Sequence, residues 1–425
     1  MFIELKEGSV LFVEGSAAVI VSAGLVSILG ADVSTRKRVI VRRGKTLPIQ
    51  ALRDSTLEII EGEGSTSAEL LESTIPESWT KVVNEVSSSG FSPVVVLGDV
   101  DLGKNTFCIY LSNLVTKMGG SVALIEGDVS HGDIGPPACV SMALVSNPLL
   151  DFFSLKPEAV AFVGCITPIG VQPRILDGLS ILKELAAEKR PSLILVNTDG
   201  WVLGDEAAEY KLSLLSSIAP QGVIGIQARN ELEPILSVAE FKGFRVFRVE
   251  PSGVVRLRDR ETRKSLREQC YRKFLSGAVS RSYPLNHVKL GNTFLNSPEV
   301  DDFFRDRLSE MLGHPVLAYS ALDGGLHVLV KGIERIDESL IAKASLEIGR
   351  PIRVVVEDEV KGLILGMFDE KGQFLGLGIF NRLDFEHHAL GVLTPIIGVP
   401  SIIRFGRIRL DESFREIGFT QAYEP

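Results

Sequence analysis

Apolar positions along this chain recur with two periods, and the change of period divides it. Up to about residue 88 the apolar residues come in short β-prone runs: Val10–Val13, Ala18–Val21, Leu25–Leu29, Arg38–Val41 and Leu57–Ile60, separated by glycine-rich or charged turns. From residue 89 to 281 short apolar runs alternate with longer amphipathic stretches. The predicted strands are Pro93–Leu97, Val122–Glu126, Leu193–Asn197, Val223–Gln227 and Arg245–Val249. The predicted helices are Asn105–Lys117, Pro173–Glu188, Glu206–Ile218 and Glu231–Phe241. Such alternation predicts an α/β fold, a mainly parallel sheet covered by helices, with ligands at the carboxyl ends of its strands. From 282 to 425 period-2 runs return at Val360–Phe368, Phe374–Ile379 and Ser401–Leu410, with a hairpin turn at Asp369–Gly372. The expected organisation is a β-rich domain at 1–88, an α/β domain at 89–281 and a second β-rich domain at 282–425.

The junction between the first α/β strand and its helix carries the strongest chemistry. Gly98-Asp99-Val100-Asp101-Leu102-Gly103-Lys104-Asn105-Thr106 has the strand–GxxxxGK–helix layout of a P-loop. Loop N–H groups and the helix N-terminus surround a β-phosphate, and the lysine reaches the β/γ-phosphates. The layout predicts a nucleoside triphosphate as ligand. It departs from the common form at Asn105, where Ser or Thr ordinarily supplies a hydroxyl to Mg²⁺; the hydroxyl here falls one place later, at Thr106.

Composition narrows the class of protein. The chain is 45% hydrophobic and 23% charged over 425 residues, enough to bury a large core in two or three domains. Neither a membrane-spanning apolar run nor the layout of a signal peptide is expected, and four scattered cysteines predict reduced thiols in a cytoplasmic protein. A net charge of −9 argues against unspecific nucleic-acid coating. Local charge differs. Between Arg256 and Arg281 nine positive side chains (Arg256, Arg258, Arg260, Arg263, Lys264, Arg267, Arg272, Lys273, Arg281) meet three negative ones (Asp259, Glu261, Glu268). Arg36, Lys37, Arg38, Arg42, Arg43 and Lys45 form a second cluster. Each cluster suits either phosphate contact or a solvated face.

Past the second α/β strand stand Asp128, His131 and Asp133. An acidic residue there faces the γ-phosphate and can hold a cation or accept a proton from an attacking hydroxyl; Asp128 is the first candidate and Asp133 the second. Asp199-Gly200-Trp201 ends the strand Leu193–Asn197, and a tryptophan beside the phosphates can stack on a base or pack under a loop. Arginines at 256–263 can close over a phosphoryl group.

In this order the motifs resemble the polynucleotide 5′-hydroxyl kinase family, whose members include the kinase subunit of the pre-mRNA cleavage complex, its archaeal counterparts and the nucleolar pre-rRNA kinase. The resemblance covers nearly the whole chain and implies a P-loop kinase domain between two β-rich domains. It also implies that ATP donates its γ-phosphate to the 5′-hydroxyl of RNA or single-stranded DNA, with Mg²⁺ or another divalent cation. Carried onto this chain, Gly98–Thr106 binds nucleotide, and Asn105, Thr106 and Asp128 hold the metal. Lys104, Asp128, Arg258 and Arg263 are catalytic, with Arg256 and Arg260 competing for the lid roles. Thr167 of Thr167-Pro168 clasps the substrate phosphate, Trp201 stacks on its base, and Lys45 helps hold the nucleotide base. His131, like Asn105, departs from the family pattern, which has Gln there; it is expected to contact the substrate or metal-bound water, and implies sensitivity to pH near neutrality. Two other readings remain: an ATP-bound scaffold partnered with RNA-processing proteins, and a kinase or synthetase acting on a small metabolite.

Overall fold

A computed structural model describes residues 1–70, 73–254, 257–291, 293, 301–322, 324–332, 336–384, 387 and 389–420. Arg256, a competitor for the lid, lies outside the described residues. The chain separates into two compact units, one of residues 1–161 with 167–270 and one of 162–166 with 271–425.

The first unit is organised by the sheet that the apolar runs predict. Five parallel strands stand in the order Val122–Glu126, Leu193–Asn197, Val94–Gly98, Gly222–Ile226, Arg245–Val249. The P-loop strand is therefore central, flanked by the third and fourth strands in chain order, and its loop opens where the strand order reverses. Every residue of the first four strands is buried, which is why they read as unbroken apolar runs. Two further strands extend the sheet beyond Val122–Glu126: Cys139–Val145, antiparallel, and Ala159–Phe162. The pattern missed both.

The helices Lys104–Lys117, Gln172–Glu188, Asp205–Ile218 and Glu233–Phe241 start within two residues of their predicted places. A further helix, Arg260–Phe274, occupies the basic segment. The N-terminal β-prone runs form a four-stranded and a five-stranded sheet. Their apolar faces share one core with the P-loop sheet, including Val13, Ile49, Leu57, Val94, Phe107 and Leu124. Trp79, fully buried on the helix Glu77–Ser89, belongs to that core and donates its indole N–H to Glu250 O at 2.8 Å.

In the second unit, a sheet of strands including Leu363–Phe368, Phe374–Asp384, Ala389–Thr394 and Ile402–Leu410 surrounds Leu365, Phe380 and Phe405. The chain also builds a separate three-stranded sheet, Val316–Leu322, Gly325–Val330 and Ile352–Val356, with helices Asp302–Leu312 and Glu338–Ile348 packed on it. The predicted strand Val360–Phe368 starts later, because Glu357–Val360 closes one helical turn.

Candidate active site

The P-loop takes its shape from two left-handed residues. Asp101 has φ 62° and Gly103 φ 94°, and Gly103 caps the helix Lys104–Lys117. Glycine suits the cap because its φ is one that a side chain resists; the Trp79 ring, 3.5 Å from where a Cβ would stand, would be in ordinary contact with it. Asp99 accepts the Val100 N–H at 2.6 Å, so that loop amide is already engaged. Lys104 is buried, and its ammonium donates to Gly98 O at 2.9 Å and Asp99 O at 2.8 Å. Burial lowers its pKa, against the opposing pull of Asp128.

Asp128 sits past the end of the neighbouring strand Val122–Glu126. Its carboxylate accepts from Ser130 N–H at 2.9 Å and Ser130 Oγ at 2.5 Å. His131 Nδ1 lies 3.1 Å from Asp128 Oδ2 and 2.8 Å from Ser130 Oγ. With the Ser130 hydroxyl directed at Asp128, these distances place a hydrogen on His131 Nδ1, shared between the two oxygens. Burial alone would raise the Asp128 pKa; the His131 and Ser130 hydrogen bonds, with Lys104 nearby, hold it well below the usual carboxylate range. The result is a carboxylate kept ionised and oriented.

Asp133 occupies a different environment. It receives Arg42 Nη2 at 3.0 Å and Lys45 Nζ at 2.7 Å, and Arg42 also grips Asp151 at 2.6 Å while lying 4.0 Å over the Phe153 ring. Lys45, expected near the nucleotide base, is thus committed to Asp133. Asp133 in turn serves as the anchor of the N-terminal loop at 42–45. Glu126, at the end of the same strand, is fully buried; Oε2 accepts the Ile134 N–H at 2.8 Å, and Oε1 has no partner among the described residues. Burial, with the charge of Asp133 beside it, pushes Glu126 up to about 8, so it carries its proton at neutral pH.

Asn105, in the place of the usual hydroxyl, accepts from Asn197 Nδ2 at 3.0 Å. Asn197 is fully buried, and its Oδ1 has no partner among the described residues. The side-chain oxygens of Asn105, Asn197 and Asp128 are hard donors of the kind that Mg²⁺ takes, so these residue types fit such a cation. Thr106 is half-buried on the first turn of the same helix.

Trp201 follows a turn pressed onto the P-loop: a Cβ at Gly200 would come within 2.8 Å of the Val100 nitrogen. Asp199 builds the turn, accepting from Trp201 N–H at 3.0 Å, Tyr210 Oη at 2.9 Å and the fully buried Lys211 at 2.8 Å. The half-buried indole lies against Tyr210 with ring centres 5.8 Å apart and planes at 27°. Sequence reasoning missed Asp199, Tyr210 and Lys211 as supports, although Asp-Gly-Trp at a strand end was a signal for such a turn. Thr167 lies in the loop before Gln172–Glu188, its hydroxyl 3.4 Å from the Ile169 N–H. Gln172 donates to Glu206 at 2.7 Å, tying the first turn of the helix Gln172–Glu188 to that of Asp205–Ile218.

The two lid candidates come together on one carboxylate. Arg258 and Arg263 are both bonded to Asp101 of the P-loop, at 3.2 and 2.7 Å. Arg260 begins the helix Arg260–Phe274 and is exposed.

Comparison with known proteins agrees with this geometry. Residues 98–277 match a family model described as the P-loop of the mRNA cleavage and polyadenylation factor CLP1. The polyribonucleotide 5′-hydroxyl-kinase of Methanocaldococcus jannaschii is 31% identical over 76% of this chain and 89% of its own length. The corresponding kinase of Pyrococcus furiosus is 29% identical over 77% and 90%. Among solved structures, the wild-type Clp1p–Pcf11p complex aligns with a TM-score of 0.67 at 13% identity, covering 96% of this chain and 97% of the other; this shows a common fold. The chain belongs to the polyribonucleotide 5′-hydroxyl kinase family.

Proposed function

We propose that this protein transfers the γ-phosphate of ATP to the 5′-hydroxyl of RNA, and of single-stranded DNA. The observation that carries the reading is the pairing of a P-loop lysine, Lys104, with a buried, ionised carboxylate, Asp128, at the ends of the central strands. Loop amides and Lys104 hold the triphosphate. The 5′-oxygen attacks the γ-phosphorus; a new P–O bond forms as the bond to the β,γ-bridging oxygen breaks, ADP leaves, and the hydroxyl proton passes to Asp128. Ser130 and His131 keep Asp128 aimed and charged. Arg258 and Arg263 take up charge on the transferring group. Thr167 holds the substrate's terminal phosphate and Trp201 stacks on the adjacent base. Asn105, Thr106 and Asp128 would hold Mg²⁺, which neutralises phosphate charge when bound.

The reading also treats 1–88, 89–281 and 282–425 as three parts, with the chemistry in the second. The likeness to a fold solved with a bound protein partner supports RNA-processing proteins as further partners. A second reading, an ATP-holding scaffold that does not turn over, is favoured by one observation: Asn105 replaces the metal-binding hydroxyl and its amide oxygen is engaged by Asn197.

The test is incubation with labelled ATP and matched oligonucleotides ending in 5′-hydroxyl or 5′-phosphate, as RNA and as DNA. Label entering only the 5′-hydroxyl strands supports the kinase. Retained ATP with no labelled strand supports the scaffold.

A further inference from the structure

A carboxylate inside a phosphate-binding loop calls for an explanation. Asp101 would repel a triphosphate unless something neutralised it. Its side chain is only 2% exposed, and three N–H groups converge on it: Arg258 N at 2.8 Å and Arg263 Nη2 at 2.7 Å on Oδ2, and Arg258 Nη1 at 3.2 Å on Oδ1. Burial alone would raise its pKa; the Arg258 backbone N–H and the two guanidinium groups hold it below its ordinary value. Its φ of 62° turns the carboxylate toward the segment at 257–263, a conformation that Asp and Asn accept more readily than most residues.

The arginines are not used up by this contact. Arg263 Nε is buried with no hydrogen-bond partner among the described residues, and a guanidinium carries five N–H groups. Among the described residues, Arg258 Nε reaches the Gly44 carbonyl alone, at 3.4 Å. One carboxylate and two guanidinium groups leave a net positive charge at the rim of the P-loop. Undocking the lid would strand a buried, unpaired carboxylate, which is costly.

We propose that Asp101 is a positioning residue: it docks both lid arginines on the P-loop, so that the cations that take up charge on the transferring phosphoryl are held in place by the loop that binds the nucleotide. This rests on the reading of Arg258 and Arg263 as the arginines that reach that phosphoryl.

The test combines kinetics with an exchange measurement. Asp101→Asn keeps size and the left-handed conformation and removes the charge. We expect its kcat to fall on the order of ten- to a hundredfold while KM for ATP stays unchanged or drops, because a repelling charge has gone. In Asp101→Ala the Arg258 amide hydrogen, which donates to Asp101, should exchange much faster than in the native chain, with exchange at Val122–Glu126 unchanged as the control for folding. A retained or raised kcat in Asp101→Asn, a KM for ATP that rises with the fall in kcat, or unaltered exchange at Arg258 would overturn the proposal. If the native chain itself transfers no phosphate, the kinase reading fails, and the Arg258 exchange alone decides whether Asp101 docks the lid.

Discussion

Asp128 and Asp133 follow the same strand five residues apart, and both are buried and ionised, yet their surroundings are opposite in kind. Asp133 is surrounded by fixed cations, Arg42 and Lys45, which come from the loop at 42–45 between two N-terminal strands; Arg42 is itself locked by Asp151 and Phe153. Its charge is satisfied by the fold. Asp128 is held by its own turn, through Ser130 and His131, beside a P-loop lysine whose hydrogen bonds among the described residues go to loop carbonyls. An ion pair closed on both sides carries structure. A charge aimed by local hydrogen bonds and left beside a phosphate loop can carry chemistry.

The comparison breaks most sharply at the lysine. Lys104→Ala should cost on the order of a thousandfold or more in phosphoryl transfer, measured as kcat/KM, with the thermal midpoint near the native value. Asp128→Asn should lower kcat by roughly a hundred- to ten-thousandfold, since a general base is lost, while nucleotide binding persists. Asp133→Asn should do the reverse. It leaves Lys45 without its carboxylate and Arg42 with Asp151 alone, so unfolding by denaturant should show a loss of about 3 kcal/mol, with kcat of the folded fraction within a few-fold of native.

Glu126 sharpens the contrast through pH. Its folded pKa lies above its ordinary value, so the folded state binds more protons than the unfolded one between about pH 4.5 and about 8, and the stability this proton contributes is lost as pH rises through that window. Glu126→Gln should therefore match the native thermal midpoint near pH 4.5 and exceed it by a growing margin toward pH 9. Equal midpoints at both ends would mean that Glu126 is ionised in the fold. The smallest effect is expected at Asn105→Ser. Its hydroxyl should lower the Mg²⁺ concentration needed for half-maximal activity by a few-fold (about 1 kcal/mol or less), read from a magnesium titration.

Much of this was legible in the sequence where one local rule decides. The four fully buried strands announce themselves as apolar runs, and the P-loop as glycines and a lysine after such a run. Cys139–Val145 escaped because its Ser141, Met142 and Ala143 give no β-branched run. The helices Asp302–Leu312 and Glu338–Ile348 escaped a β-rich reading, although Asp301 and Asp337 cap them and Gly313 and Gly349 end them in left-handed geometry; those signals were present. The jobs of Asp133, Lys45 and Asp101 were not legible. Their partners lie 88 to 162 residues away, and only the fold brings such charges together.

The most direct test follows the labelled γ-phosphate of ATP onto a short 5′-hydroxyl RNA in Mg²⁺, for the native chain, Lys104→Ala, Asp128→Asn and Asp133→Asn. The account predicts transfer by the native chain and by folded Asp133→Asn, and its loss in Lys104→Ala and Asp128→Asn. Native-like transfer by Asp128→Asn, or loss in a folded Asp133→Asn protein that still binds ATP, would contradict it.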